Sequence, residues 1–458
     1  MSDFYSFLSN LIFLTDSYKV SHWRQYPKSI TKMLSYFSSR GGLYPETVAN
    51  VLLHYQMKRL EGVQITQEKI EEAAELFKFH FGDESIFNRA GWEYILKEHG
   101  GRLPLKIKAV AEGTVVPHGN VLIVAESTDP KCPWVTNYFE TFMVQNWYPS
   151  TVATFSYTAK NLINRYLEET GDPAGLPYKL HDFGVRGTSS MESAAIGGAA
   201  HLLNFSGTDN LPAMALLKKF YGGYVGNSIP AAEHSTACSW IKEKDFFRHM
   251  IEEFPGMVAV VSDTYDIYEA CRVWSTELKD QVLARKDGCV VIRPDSGDPL
   301  EVLEKIFEIL GENFKNEIVV NKKGYRVLPP QVRVIQGDGV DIEAIGDILE
   351  MLKLKGWSAD NIAFGCGGAL LQKLNRDTNK FAFKASAVLD NGVWREIRKN
   401  PVTDPGKASK AGLLDLVKID GTFTTTSPSG NSLLAVVFEN GMVPPSDSLE
   451  TIRTRLVV

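Results

Sequence analysis

An α/β fold of barrel type is what this sequence predicts for its central half, and three observations carry the prediction. From residue 178 onward a strand–loop–helix unit repeats, with junctions at 181–184, 207–209, 233–235, 262–263, 293–295, 337–338 and 365–368. The six intervals between residues 182 and 365 average about 30 residues, the length of one βα unit. Short β-branched runs at 258–261, 289–292 and 332–335 precede several junctions, so polar residues recur where strands would end. In parallel α/β folds that is the face where ligands bind, and a barrel gathers those ends around one mouth. An open doubly wound sheet would show the same rhythm.

The flanking elements follow from local signals. Thr66 is set up as an N-cap, with Ile65 and Ile70 as a hydrophobic staple and Phe77 and Phe81 at helical spacing. Leu103, Leu105, Ile107 and Ala109 alternate with Lys106 and Lys108, and a turn over 117–120 leads into the apolar run 121–125. Residues 151–170 read as an amphipathic helix, with Phe155, Ala159, Leu162, Ile163 and Tyr166 on one face and Gly171 as its stop. Further on, Phe381, Phe383 and Ala385 alternate with Lys384 and Ser386, a strand returning to the first region. Boundaries near 150 and 385 follow: 1–150 with 385–458 form an outer, discontinuous α+β domain, and 151–384 the barrel-like catalytic domain.

Composition narrows the function classes. Lys and Arg total 49 against 55 Asp and Glu, a net charge of −6 over 458 residues, which argues against a general nucleic-acid binder. The five cysteines are isolated and include no C-x-x-C, so neither a disulfide framework nor a thiolate zinc site is encoded. No apolar run reaches the roughly 20 residues that span a bilayer. Asp3 and the lack of a basic start speak against a signal peptide, and a cytoplasmic protein with no membrane partner is expected.

The junctions hold the candidate chemistry. P-loop, G-x-G-x-x-G, H-E-x-x-H and G-x-S-x-G signatures are absent. Asp182-Phe183-Gly184 spells the kinase magnesium motif without its glycine-rich loop, strand lysine or H-R-D partner, so it reads as coincidence. Gly365-Cys366-Gly367-Gly368, between the apolar 362–364 and a helix-like 369–374, suits phosphate: backbone without Cβ approaches closely and the helix start offers free N–H groups. Arg376 would assist; a plain tight turn is the other reading. In Arg293-Pro294-Asp295-Ser296-Gly297-Asp298 a guanidinium suits phosphate, and a carboxylate suits ribose hydroxyls or magnesium. The same hexapeptide could be an Asp/Gly turn with Asp298 capping a helix over 299–310. His234, opening a helix beside Glu233, could be base, nucleophile, ligand or a simple cap.

Several blocks, in order, resemble the nicotinamide phosphoribosyltransferase family of type II phosphoribosyltransferases. They include Thr15-Asp16-Ser17-Tyr18-Lys19, Tyr178-Lys179-Leu180-His181-Asp182-Phe183-Gly184, Gly207-Thr208-Asp209, Ala232-Glu233-His234-Ser235-Thr236 and Val261-Ser262-Asp263. Ile292-Arg293-Pro294-Asp295-Ser296-Gly297, Gln336-Gly337-Asp338-Gly339 and the stretch 364–377 continue the likeness, which runs from about residue 12 to 440. The resemblance implies an irregular α/β barrel, a homodimer with shared active sites, and transfer of phosphoribosyl from 5-phosphoribosyl 1-pyrophosphate to nicotinamide. By position, Phe183 and the partner's Tyr18 would sandwich the pyridine ring, and Asp209 and Arg293 would hold its carboxamide. Asp295 would hold the ribose hydroxyls near Gly337 and Asp338, and Gly367, Gly368 and Arg376 the 5′-phosphate. Arg186, His234 and Arg293, with Arg40, Lys384, Lys399 and Lys407 contributed across the dimer, would surround pyrophosphate. Asp263 and Asp295 would lie close to magnesium, and His234 would be phosphorylated by ATP. Ala382, where the family commonly has a hydroxyl, Val185, in place of a frequent aromatic, and a short 41–47 segment depart from the pattern. Nicotinate phosphoribosyltransferase, a non-catalytic signalling protein and a metal-dependent barrel hydrolase are the competing readings.

Overall fold

The structure, a computed structural model, describes residues 9–403 and 408–458; Asp3 and Lys407 lie outside the described residues. The chain divides into two compact units, Met1–Thr154 with Asn375–Arg455 and Phe155–Leu374 with Leu456–Val458. In chain order the strands of the two main sheets begin with β1 (Ile30–Ser39), β2 (Leu105–Ala109), β3 (Val121–Ser127), β4 (Leu180–Asp182), β5 (Gly207–Thr208) and β6 (Met257–Val261). They continue with β7 (Cys289–Arg293), β8 (Val332–Gln336), β9 (Ile362–Cys366), β10 (Phe381–Asp390), β11 (Val393–Glu396) and β12 (Ala435–Glu439).

The first unit is built on the antiparallel sheet β11-β10-β1-β3-β2-β12. Alternation along β2 is visible in burial: Leu105, Ile107 and Ala109 are buried and Lys106 and Lys108 half-exposed. The strand expected after 381 pairs with β1, Phe37 opposite Phe383, and the Phe37 and Phe381 rings stack at 5.0 Å. Helix α1 (Gln67–Phe81) starts as anticipated: Thr66 Oγ accepts from Lys69 N at 3.3 Å, and Ile65 and Ile70 are both fully buried. Helix α2 (Trp147–Thr170) begins four residues before position 151, because Pro149 falls in its first turn, where no N–H is needed. The division between the units falls within this helix, and again before β10.

The second unit is a parallel sheet, β5-β4-β9-β8-β7-β6, curled on itself. Its strands read as almost continuous apolar runs, the pattern of strands covered on both faces. Ala259, Cys289, Val291 and Ile335 cluster inside with Phe183, Ile229 and Ala363, every second residue along the strands. The intervening Val258, Val260, Val290, Ile292, Val334 and Phe364 are buried on the other face, each such side chain contributing about 1.5–3 kcal/mol.

Ring closure uses no regular strand. Asn227 bridges parallel to Gly207 at the β5 edge, and Ala231 bridges parallel to Ala259 at the β6 edge. Thr208 N donates to Asn227 O at 3.0 Å, and Ala259 N to Pro230 O at 2.9 Å. Pro230 has no N–H to continue a ladder, so the segment links the two edges without becoming a strand. The open doubly wound alternative is thereby replaced by an irregular barrel. Around it lie α3 (Met191–His201), α4 (Leu211–Tyr221), α5 (His234–Ala237), α6 (Pro299–Asn313), α7 (Ile342–Leu354) and α8 (Gly368–Leu371). Among the described residues no helix is long and apolar enough to cross a membrane.

Candidate active site

A cavity of about 770 Å³ opens at the C-terminal ends of the barrel strands. Phe183, Arg186, Asp209, Arg293, Asp295, Gly337, Asp338, Gly367 and Gly368 all line it, so the second unit brings together eight residues from five junctions and Arg186, which only the resemblance implied. A second cavity of about 360 Å³ shares Phe183 and Asp209 and is lined by His181, Ala259, Val291, Arg333 and Ile335. Burial holds the His181 imidazole below its ordinary pKa, despite nearby Asp209.

Strand alternation explains the first ring of side chains. Phe183, Arg293, Gly337 and Gly365 continue the inward set of His181, Val291, Ile335 and Ala363. The Phe183 ring rests against the two glycines: a Cβ at Gly365 would stand 2.0 Å from its edge, and one at Gly337 3.4 Å. Gly365 therefore makes room for an aromatic ring, as a tight turn needing small residues would, while Gly367 and Gly368 are the two expected at phosphate. Gly368 differs, since a Cβ there meets nothing within 4 Å. The helix after it is also shorter than the anticipated 369–374. It covers four residues, and Lys373 N folds back onto Gly368 O at 2.7 Å. Open backbone, rather than a long helix dipole, is what Gly367 and Gly368 present to the cavity.

Asp209 does not cap the following helix. That cap is Asn210, whose Oδ1 accepts from Ala213 N at 3.1 Å, and Asp209 is left to the cavity with Oδ1 accepting from Ser228 Oγ at 2.5 Å. Asp298 is a cap: its Oδ1 accepts from Leu300 N and Glu301 N, at 3.0 and 3.1 Å. This separates it from Asp295 three residues earlier.

His234 is the first residue of α5, and its ring reaches two carboxylates. Nε2 lies 3.0 Å from Asp263 Oδ1, and Nδ1 lies 3.9 Å from Asp295 Oδ2. A carboxylate only accepts, so the neutral ring carries its proton on Nε2 and its lone pair on Nδ1. Asp263 is itself held, Oδ2 accepting from Asp295 N at 3.1 Å and from Ser296 Oγ at 2.6 Å. Asp295 is half-buried, and burial raises its pKa; Arg293 and His234 pull it down, while Asp263 and Asp338 push it up. Arg293 Nε is buried without a hydrogen-bond partner, 3.8 Å from Asp295 Oδ1. A guanidinium edge left unpaired beside carboxylates suits a ligand that brings anionic oxygens. Hard oxygen donors from one or two carboxylates also fit magnesium, which takes its remaining ligands from water and substrate phosphate. No group of three or more His, Cys, Asp or Glu side chains suited to holding a metal ion occurs among the described residues.

The other anticipated residues lie in the first unit. Tyr18 is 57% exposed, with its ring edge-on to His22 and the Lys19 ammonium 5.0 Å from its centre. Lys19 donates to Glu140 Oε2 at 2.7 Å, and Lys384 stands 3.9 Å from Glu140 Oε1. Burial lowers the Lys384 pKa against the pull of Glu140, and Arg40, Lys19 and Arg376 lower it further. Those four cations thus share a field, while Lys399 is anchored by its N–H on Ser409 Oγ at 2.9 Å. Sequence reasoning missed Lys373, which lines the cavity five residues past Gly368, and the pairing of His234 with Asp263. The first was legible as a cation beside the glycine run; the second spans 29 residues and has no local signal.

Comparison with known proteins gives the family. Residues 178–442 match the model of the nicotinate phosphoribosyltransferase (NAPRTase) family, and residues 10–107 that of the nicotinamide phosphoribosyltransferase N-terminal domain. The chain is 47% identical to a nicotinamide phosphoribosyltransferase of Xanthomonas campestris pv. campestris and 32% identical to one of Acinetobacter baylyi, each over 98% of both chains. In fold it is similar to a nicotinate-nucleotide pyrophosphorylase from Pyrococcus furiosus, with TM-score 0.63 and 15% identity over 100% of this chain and 97% of that one. The chain is thus a pentosyl-transferring enzyme and belongs to the nicotinate phosphoribosyltransferase (NAPRTase) family.

Proposed function

We propose that this enzyme transfers the phosphoribosyl group of 5-phosphoribosyl 1-pyrophosphate to nicotinamide, giving nicotinamide mononucleotide and pyrophosphate. The observation that carries the reading is one cavity lined by an aromatic ring, a carboxylate, a guanidinium and open glycine backbone. Phe183 would support the pyridine ring, and Asp209 would accept from the amide –NH₂ while Arg293 donates to its oxygen. Nicotinamide nitrogen is a weak nucleophile, so orientation against an aromatic face matters more than deprotonation.

Cleavage of the ribose C1–O bond builds positive charge on the sugar and negative charge on pyrophosphate. Asp295 favours the cationic sugar, and Arg186 and Arg293 stabilise the leaving group. The exposed backbone of Gly367 and Gly368 would take the 5′-phosphate, with Arg376. Asp263 and Asp295 would hold magnesium, which supplies Lewis-acid neutralisation of the pyrophosphate. Arg40, Lys384, Lys399 and Lys407 would act on pyrophosphate in a homodimer, where Tyr18 of the partner subunit closes the ring site. ATP would phosphorylate His234 at Nδ1, the nitrogen with the free lone pair, releasing ADP.

One assay tests the reading. Purified enzyme is given the phosphoribosyl donor with nicotinamide or with nicotinate, with and without ATP. Nicotinamide mononucleotide is the expected product, formed faster with ATP, and His234→Ala should lose acid-labile phosphate while keeping slow transfer. Preferential use of nicotinate would replace the substrate assignment, and labelling that persists in His234→Ala would remove His234 as the acceptor.

A further inference from the structure

We propose that Asp182 and Asn210 are positioning residues, a buried pair that sets the placement of Phe183 relative to Asp209; the inference rests on the ring and amide roles proposed for those two neighbours. Asp182 and Asn210 are both completely buried; Asp182 ends β4, and Asn210 lies two residues past the end of the adjacent β5. Asp182 Oδ1 accepts from Gly184 N at 2.7 Å, which holds the turn just past Phe183. The Phe183 N–H is fixed as well, donating to Cys366 O at 3.0 Å. Asp182 Oδ2 accepts from Asn210 Nδ2 at 2.9 Å, and Asp182 O accepts from Asp209 N at 3.1 Å. One residue thus restrains the backbone on the far side of Phe183 and on the near side of Asp209.

Asn210 extends the restraint outward. Its Nδ2 also donates to Ala194 O on α3 at 2.8 Å, its Oδ1 caps α4, and its N donates to Thr208 Oγ at 3.0 Å. Space for the pair comes from Gly198 on α3. A Cβ there would stand 2.2 Å from Asn210 Nδ2 and 2.7 Å from Asp182 Oδ2. A merely space-filling position would favour apolar side chains, since burying a carboxylate is costly. Every acceptor used at Asp182 is instead spent on a residue flanking the cavity.

The test compares Asp182→Asn and Asn210→Ser with wild type. In Asp182→Asn an –NH₂ must face either Gly184 N–H or the Asn210 amide, both donors. Asn210→Ser keeps a capping hydroxyl but withdraws the donor from Asp182, and serves if the first variant fails to fold. Either single variant should raise KM for nicotinamide about tenfold, the cost of one buried unpaired group, and leave KM for the phosphoribosyl donor within about twofold. Amide hydrogen exchange at Gly184 and Asp209, measured without substrate, should accelerate in both single variants. Equal shifts in the two KM values, or an unchanged nicotinamide KM in folded protein, would overturn the proposal. Wild type that makes no nicotinamide mononucleotide would sink the substrate reading alone. Exchange would then decide: lost protection at Gly184 and Asp209 supports the pair, and unchanged protection rejects it.

Discussion

At the scale of a residue, the role proposed for the Asp209 carboxylate is to select between the two pyridines. Its Oδ1 is engaged by Ser228, and it plays no part in capping α4, so its replacement can be read as a change of recognition rather than of stability. A second carboxylate, that of nicotinate, would meet like charge there, and roughly 3 kcal/mol of discrimination corresponds to about a hundredfold preference. Asp209→Asn should lower kcat/KM for nicotinamide and narrow the gap to nicotinate, with melting temperature unchanged. A constant ratio of the two pyridines in folded protein would remove Asp209 from the specificity argument. Asp182 makes a prediction of a different kind. Burial pushes its pKa from the ordinary 3.8 up to about 6, against the hydrogen bonds from Asn210 and Gly184 and with help from the Asp209 charge. Neighbouring Cys366 is pushed up to about 12 and stays neutral. A carboxyl raised on folding contributes stability that is full below pH 3.8 and lost as pH rises through about 6, an effect of about 3 kcal/mol. The stability difference, wild type minus Asp182→Asn, should therefore shrink between pH 4 and pH 7 in denaturant titrations. A flat difference would show that Asp182 does not titrate in that window.

At the scale of an element, the β9–α8 junction uses its glycines for two unlike purposes. Gly365 yields space to the Phe183 ring, and Gly368 leaves backbone open toward the cavity. Ala at 365 forces a methyl into an aromatic edge, an overpacking of about 1–3 kcal/mol that the ring can relieve only by moving. Ala at 368 meets no protein atom and should fold normally. Gly365→Ala is expected to raise KM for nicotinamide more than for the phosphoribosyl donor, and Gly368→Ala to do the reverse. Measuring both constants on both variants checks this; parallel changes would mean that the junction acts as a single unit.

For the whole molecule, the residues assigned to one reaction are divided between two compact units: Asp295 and Phe183 in one, Tyr18, Arg40 and Lys384 in the other. Shared sites in a homodimer, as proposed, predict complementation. Tyr18→Ala and Asp295→Ala proteins, each inactive alone, should regain about a quarter of wild-type activity once mixed to equilibrium, since half the dimers are mixed and each holds one intact site. Subunit exchange is verified by tagging one variant. No recovery despite exchange would place both residues in sites that do not span the interface.

Local pattern alone determined a good part of this protein. The 30-residue rhythm, the apolar strands, the Thr66 cap with its staple and the Asp298 cap are short-range features, because strand period and helix capping depend on residues only a few positions apart. The gathering of the junction residues at one mouth was legible too, since strand ends in a parallel barrel must converge, whereas their roles came from the family resemblance. Tertiary structure decided what distant segments do to one another. The 227–231 segment has no strand-like run, and only the two free sheet edges on either side make it the closing element. Asn210 rather than Asp209 caps α4 because Asp182 and Ala194 take up the Asn210 amide. His234 meets Asp263 only once β6 and the loop before α5 are side by side. These choices depend on contacts between residues far apart in sequence, whose energies exist only after the barrel has closed, so no window of the chain could announce them.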